Sequence, residues 1–397
     1  MRRLSPEQSG MQPSGHLQSV TKSLSVRAVG GSLEKIRTPR FVWFLLFSFG
    51  ASQFFVDPEP GFPELLFPII LLFVTQRGFL HPVHVLLLAG NIFALTTEML
   101  AMGSVAWSAL SVYLSLVSIA LYSILTRYDS LEGIRALLLG GAFGASVTLA
   151  LTLTPFSDEL YRYGIRFTGF FKDPNVTAPT ALFFAVALLG LRGRQKWWAV
   201  APFLVFAISI SRATYLAAAV GVIYLIAVRN KLAAFFIAAA VLVAALFAES
   251  LLKLADTFFQ SIGRQGLINS YDGDRSSNWA DLLDIYMRTG VPLGPSYSET
   301  NGMSAHSTYV RLLVEQGPVV LIMFVLAVLI TWRSCSSVYL KAGLLCILVN
   351  GVVIDAIHWR VLFIAIALCL AWTAEPTTDV LASEGSRGRR RRAMWRR

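Results

Sequence analysis

The fold class this 397-residue sequence predicts is all-α: a polytopic membrane protein of about twelve transmembrane helices with one large external loop. Three observations predict it. The chain is 55% hydrophobic and only 14% charged, with a mean hydropathy of +0.61, more apolar material than a soluble fold of this size carries. Its apolar residues are gathered into long runs, as a bilayer requires: a stretch crossing about 30 Å of hydrocarbon must satisfy its own backbone as a helix of roughly 20 residues. The basic residues, finally, cluster at the ends of those runs.

The clearest runs are 103–126, 133–153, 232–248 and 307–330. Shorter ones are 41–56, 62–76, 82–97, 176–190, 197–210, 212–228, 338–354 and 359–374, and several must borrow flanking residues to cross. Residues 197–228 would run about 48 Å as a single helix, well beyond the hydrocarbon core, so they divide into two spans with Ser209, Ile210, Ser211 and Arg212 at the crest. Residues 1–40 are polar, lack the apolar core of a signal peptide and read as a basic cytoplasmic tail. Residues 41–375 form the transmembrane domain, and 376–397 an Arg-rich second tail.

A net charge of +11 alone would suggest nucleic acid as a partner, but its distribution argues against that. Twelve spans place 24 of the 34 Lys and Arg residues on the side that holds both tails and 10 on the other. Basic residues beside spans stay in the cytoplasm, so both termini are expected there. Cys335 lies in an expected cytoplasmic turn and Cys346 and Cys369 lie within spans, so neither a disulfide framework nor a thiolate metal site is expected. The five histidines form no ligand cluster, and no phosphate loop or dinucleotide fingerprint occurs; no cofactor or metal is expected.

Chemistry is then sought on the outer face, in the loops 154–175 and 249–305. The second is the longest connection, and its segments ADTFFQSIGRQ and SSNWADLLDIYMRTG have apolar spacings that predict short amphipathic helices before the breaker-rich GVPLGPSYSETNG. Arg166 and Arg275 lie in these loops and Arg212 at the outer boundary. Each singly reads equally well as an interfacial guanidinium snorkelling to lipid phosphate; converging on one cavity, they would make bidentate contacts to phosphate oxygens. His306 adjoins the large loop at the start of the 307–330 run. A lone histidine there is often only an interfacial hydrogen-bonding residue, yet an imidazole is suited to accept a proton from a hydroxyl near neutral pH. Glu315, more than two helical turns further on, is too distant to orient it directly.

Four segments carry a resemblance to a known family. RFTGFFKDPNVTA (166–178), SISRATYLA (209–217), RSSNWADLLDIYMRTGVPLGPSYS (275–298) and AHSTYVRLLVEQG (305–317) resemble, in order and placement, motifs of the bacterial O-antigen ligases and Wzy-type polysaccharide polymerases. The resemblance extends over roughly residues 40–375 and departs from many relatives at Ser307, where they carry asparagine. It implies an enzyme of the bacterial inner membrane, with the outer loop periplasmic. Such an enzyme moves a glycan from an undecaprenyl diphosphate-linked donor to a lipid-linked glycan or a lipid A-core acceptor, with a flippase or chain-length regulator as possible partners, and without metal or nucleotide sugar. Carried over residue by residue, it implies His306 as the base and Arg166 and Arg275 as diphosphate ligands, with Arg212, Asn175, Tyr309 and Trp279 as substrate-binding candidates. Two other classes compete. A transporter or flippase would place polar groups at mid-membrane beside a broken helix or an inverted repeat, and a noncatalytic scaffold would tolerate loss of His306.

Overall fold

The protein is described from a computed structural model over residues 37–55, 80–100, 106–162, 166–171, 173–230, 272–294, 305–354 and 359–372, with single positions at 63, 66, 69, 70, 232, 233, 237 and 257. The expected spans 62–76 and 232–248, most of the 249–305 loop and nearly all of both tails lie outside the described residues.

Helices α1 (Arg40–Ser52), α2 (Pro82–Leu100), α3 (Ala106–Arg127) and α4 (Ser130–Leu151) come first. A 3-10 turn (Pro155–Leu160) then leads to two short antiparallel strands, β1 (Tyr161–Arg162) and β2 (Arg166–Phe167), which pair Tyr161 with Phe167 and Arg162 with Arg166. Helices α5 (Pro174–Leu188), α6 (Val200–Ile208), α7 (Arg212–Arg229) and α8 (Asp272–Thr289) follow. The last group is α9 (Thr308–Arg311), which runs into a π-helical segment (Leu312–Gln316), then α10 (Pro318–Ser334), α11 (Val338–Val353) and α12 (Arg360–Ala371).

Several starts follow from local chemistry. The Asp129 carboxylate accepts from the Leu131 and Glu132 amides at 3.0 and 3.2 Å and caps α4, whose first turn also carries Glu132. Pro174 and Pro318 stand at the first positions of α5 and α10, where a missing N–H costs nothing.

The described residues are predominantly helical, but the expectation of about twelve transmembrane helices is overturned. Among the described residues, three helices are long and apolar enough to cross a membrane by length and composition: Ser108–Arg127, Ser130–Leu151 and Arg212–Arg229. The shorter apolar helices of 10–17 residues, counting Pro82–Thr97 of α2, fall short of the roughly 20 that a span requires. Local geometry cuts the runs. The run 307–330 is interrupted at Gly317, whose φ of 89° ends the π segment before Pro318 opens α10. The run 197–210 begins as a 3-10 helix (Gly193–Ala199), leaving α6 only 9 residues. The chain does break at 209–211, where the crest was expected, and α7 starts at Arg212. In the 249–305 loop, the SSNWADLLDIYMRTG segment expected to form a short amphipathic helix belongs to α8, an 18-residue helix, while ADTFFQSIGRQ lies outside the described residues but for position 257. The described residues thus contain apolar helices compatible with multiple membrane spans, fewer among them than the hydropathy pattern predicts.

Packing relies on glycine where backbones meet. A Cβ at Gly140 would overlap the Phe47 carbonyl, one at Gly144 the Ala51 carbonyl, and one at Gly50 the Leu137 carbonyl, so α1 and α4 approach to backbone contact along a G-x-x-x-G seam. Helix α12 lies at the centre; every residue from Val361 to Ala371 is buried, as an all-apolar helix requires. Helices α2 and α3 are joined by polar contacts inside the apolar packing: Asn91 Nδ2 donates to Ser115 Oγ at 2.8 Å and to the Ser111 carbonyl at 3.2 Å, and His84 Nε2 lies 3.3 Å from Ser118 Oγ.

Candidate functional site

His306 lies just before α9 rather than within a helix, between the buried residues Ala305 and Ser307. Its φ of 44° is left-handed, a conformation that among the described non-glycine residues only Ile210 shares. Such backbone costs about 1–3 kcal/mol and persists only where its surroundings hold it. Here they do. Ser307 starts α9 by accepting at its carbonyl from the Arg311 amide at 2.9 Å. The Trp279 indole N–H donates to the Ala305 carbonyl, tying α8 to the residue before the histidine. Leu282 of α8 is buried with Ala305 and Val314 in a small apolar cluster flanked by Tyr286, Leu293 and Val310.

The π segment explains how the loop after α8 docks. Its wider turn leaves carbonyls open to outside donors, and the Leu293 and Gly294 amides donate to Val314 and Glu315 at 2.9 and 3.2 Å. Within the same turn, Arg311 Nε meets Glu315 Oε2 at 2.8 Å in a nearly buried pair. The Glu315 carboxylate thus engages Arg311.

The other candidates gather around the start of α7. Arg212 is the first residue of that helix and is half-buried; Ile210, two residues earlier, has φ 48°. Ser211 Oγ donates to Asn175 Oδ1 at 3.2 Å, Thr214 Oγ1 donates to Ser211 Oγ at 3.0 Å, and Asn350 Nδ2 donates to Thr214 Oγ1 at 2.9 Å. This polar chain joins the first turns of α5 and α7 to the end of α11. Tyr309 reaches α11 as well: its hydroxyl donates to the Leu348 carbonyl at 2.9 Å, two residues before Asn350, while Thr308 Oγ1 donates to the Ile354 carbonyl at 3.4 Å. One end of α11 therefore carries both the His306 segment and the Arg212–Asn175 group.

Arg166 and Arg275 are located by backbone alone. Arg166 opens β2, two residues before Thr168, whose carbonyl accepts from Thr177 Oγ1 in the first turn of α5, beside Asn175. Arg275 stands in α8 one turn before Trp279. Of the candidates, the structure links Asn175 with the Arg212 turn, Trp279 with the His306 segment, and Tyr309 with the helix that bonds to the former group. Thr214 and Asn350 escaped the sequence reading, although polar residues within apolar helices were the signal for them. Among the described residues no group of three or more His, Cys, Asp or Glu side chains is placed to hold a metal ion.

Comparison with known proteins returns no matching family model and no matching curated protein. The likeness to O-antigen ligases and polymerases rests on the four quoted segments.

Proposed function

We infer that the protein is a membrane-embedded glycosyltransferase that moves an oligosaccharide from undecaprenyl diphosphate to the hydroxyl of another carrier-linked glycan, in the manner of Wzy-type polymerases of O-antigen or exopolysaccharide repeats. The observation that carries this reading is the backbone of His306: a histidine held left-handed between two buried residues, next to a carbonyl clamped by Trp279.

In the proposed reaction His306 removes the acceptor hydroxyl proton as the oxygen attacks the anomeric carbon. A new C–O bond forms, the bond from that carbon to the diphosphate oxygen breaks, and undecaprenyl diphosphate leaves with the electron pair. Single displacement inverts the anomeric configuration. The arginines Arg166, Arg212 and Arg275 balance the charge that develops on the leaving group, a role for fixed guanidinium groups where water is excluded. The distribution of basic residues supports a bacterial inner-membrane location with both tails cytoplasmic and His306 facing the periplasm.

Purified protein given a carrier-linked repeat, with and without lipid A-core, tests the reading when products are resolved by size. A ladder of carrier-linked products is expected, lost in His306→Ala by about 10²–10⁴-fold at unchanged donor binding. Transfer only when lipid A-core is supplied would make the enzyme a ligase, and absence of transfer to either acceptor would reject glycosyl transfer.

A further inference from the structure

The connection between α5 and α6 has features that glycan chemistry does not use. Arg192, Arg194 and Lys196 are exposed on the Gly193–Ala199 3-10 segment and its first flank, and Trp197 and Trp198 follow them at 68% and 50% exposure. Among the described residues the ion pairs are those of Arg288 with Asp284 and Arg311 with Glu315, so none of these three cations meets a carboxylate.

Two apolar clefts open on either side of this segment. One, of ≈ 380 Å³, lies between α5 and α6 against Leu182, Leu189 and Phe203, with Lys196 in its wall. The other, of ≈ 370 Å³, lies between α4 and α6 against Leu149, Ala201 and Leu204. Trp197 and Val200 line both, so the two clefts share one wall. Each volume is within the range of small-molecule pockets.

We propose that this corner binds one anionic glycerophospholipid, with an acyl chain in each cleft, the glycerol backbone over Trp197 and the phosphate against Lys196 and the two arginines. Each part of the ligand answers a feature of the site. Paired apolar clefts sharing one wall suit a lipid with two chains, whereas a single-chain polyprenyl lipid fills one and leaves the other bare. Tryptophan favours the headgroup level, with its ring apolar and its N–H wet. Three cations that meet no carboxylate among the described residues match a headgroup that keeps net negative charge better than a zwitterionic one. The site is independent of glycosyl transfer and stands whether or not that reaction is the protein's own.

Quenching of tryptophan fluorescence by brominated acyl chains reads the site directly. Reconstituted protein is titrated with brominated phosphatidylglycerol or brominated phosphatidylcholine, and the contribution of Trp197 and Trp198 is taken as the difference from the Trp197→Phe/Trp198→Phe variant. Phosphatidylglycerol should quench that contribution at several-fold lower mole fraction. Replacing Arg192, Arg194 and Lys196 by glutamine should erase that several-fold preference. Val200→Phe, which fills the shared wall at an exposed position without adding a tryptophan, should weaken quenching by phosphatidylglycerol while the protein melts as before. Equal quenching by the two lipids, or an undiminished preference in the glutamine variant, would overturn the assignment. So would displacement of the brominated lipid by a polyprenyl phosphate as readily as by unlabelled phosphatidylglycerol.

Discussion

Trp279→Phe separates a positioning role from a substrate-binding one. The substitution keeps an aromatic ring in α8 and removes the indole N–H that donates to the Ala305 carbonyl. Ala305 is 2% exposed, so its carbonyl loses this donor where water cannot easily replace it, at a cost of about 1–3 kcal/mol. The left-handed backbone of His306 stores about 1–3 kcal/mol, so losing the clamp removes an energy of the same order as the strain. Without the clamp, relaxation of His306 should reduce the productive population by about 5- to 150-fold, at 1.4 kcal/mol per tenfold. Single-turnover glycan transfer at saturating donor and acceptor, with donor binding measured in parallel, is the assay. The rate should fall within that range while donor affinity holds. An unchanged rate would refute the argument, and weakened donor affinity at an unchanged rate would assign the indole to substrate binding.

Three further outcomes are expected. Gly144→Val drives a side chain into the Ala51 carbonyl of α1, a backbone atom that cannot swing aside, and should destabilise by about 3 kcal/mol or more, read as lower melting temperature and yield; a variant that melts like the parent would contradict the close approach of α1 and α4. Asn350→Leu removes the Nδ2 donor to Thr214 Oγ1 together with a buried Oδ1 that has no hydrogen-bond partner among the described residues, so the two effects oppose, the melting temperature should shift little and transfer should drop; full activity in this variant would detach the polar chain of Asn175, Ser211, Thr214 and Asn350 from function. Arg212→Lys and Arg275→Lys keep charge and lose the planar fork, so donor binding should weaken in each; wild-type donor affinity in both would remove bidentate phosphate contacts from the mechanism.

Much of the secondary structure was legible because its signals are local. The break at Ser209–Ser211 was read for this reason, and Asp129 before α4 and Pro174 after Asp173 are signals as local that the sequence reading passed over. The number of long helices was not legible from hydropathy, because an average over many residues passes over one peptide unit with unusual geometry. Gly317–Pro318 shows the failure: the run 307–330 scores as one span, yet a positive φ followed by a proline at a helix start divides it. The pair itself was the overlooked signal. At the candidate site the residue types were readable, while their partners were not: Ser211 and Asn175 are 36 positions apart, and Thr214 and Asn350 are 136 apart.

The amino-acid sequence by itself determined that the chain is helical and apolar in long stretches, and that its arginine, asparagine and histidine candidates sit where those stretches end. Those properties follow from composition and periodicity, which act over a few neighbouring residues. Only the tertiary structure decided which stretches keep the length to cross a bilayer, that Trp279 clamps the residue before His306, and that one end of α11 carries both the His306 segment and the Arg212–Asn175 group. The physical reason is that a hydrogen bond in a dry interior is decided by which donors and acceptors packing brings within about 3 Å, and packing is a property of the whole chain.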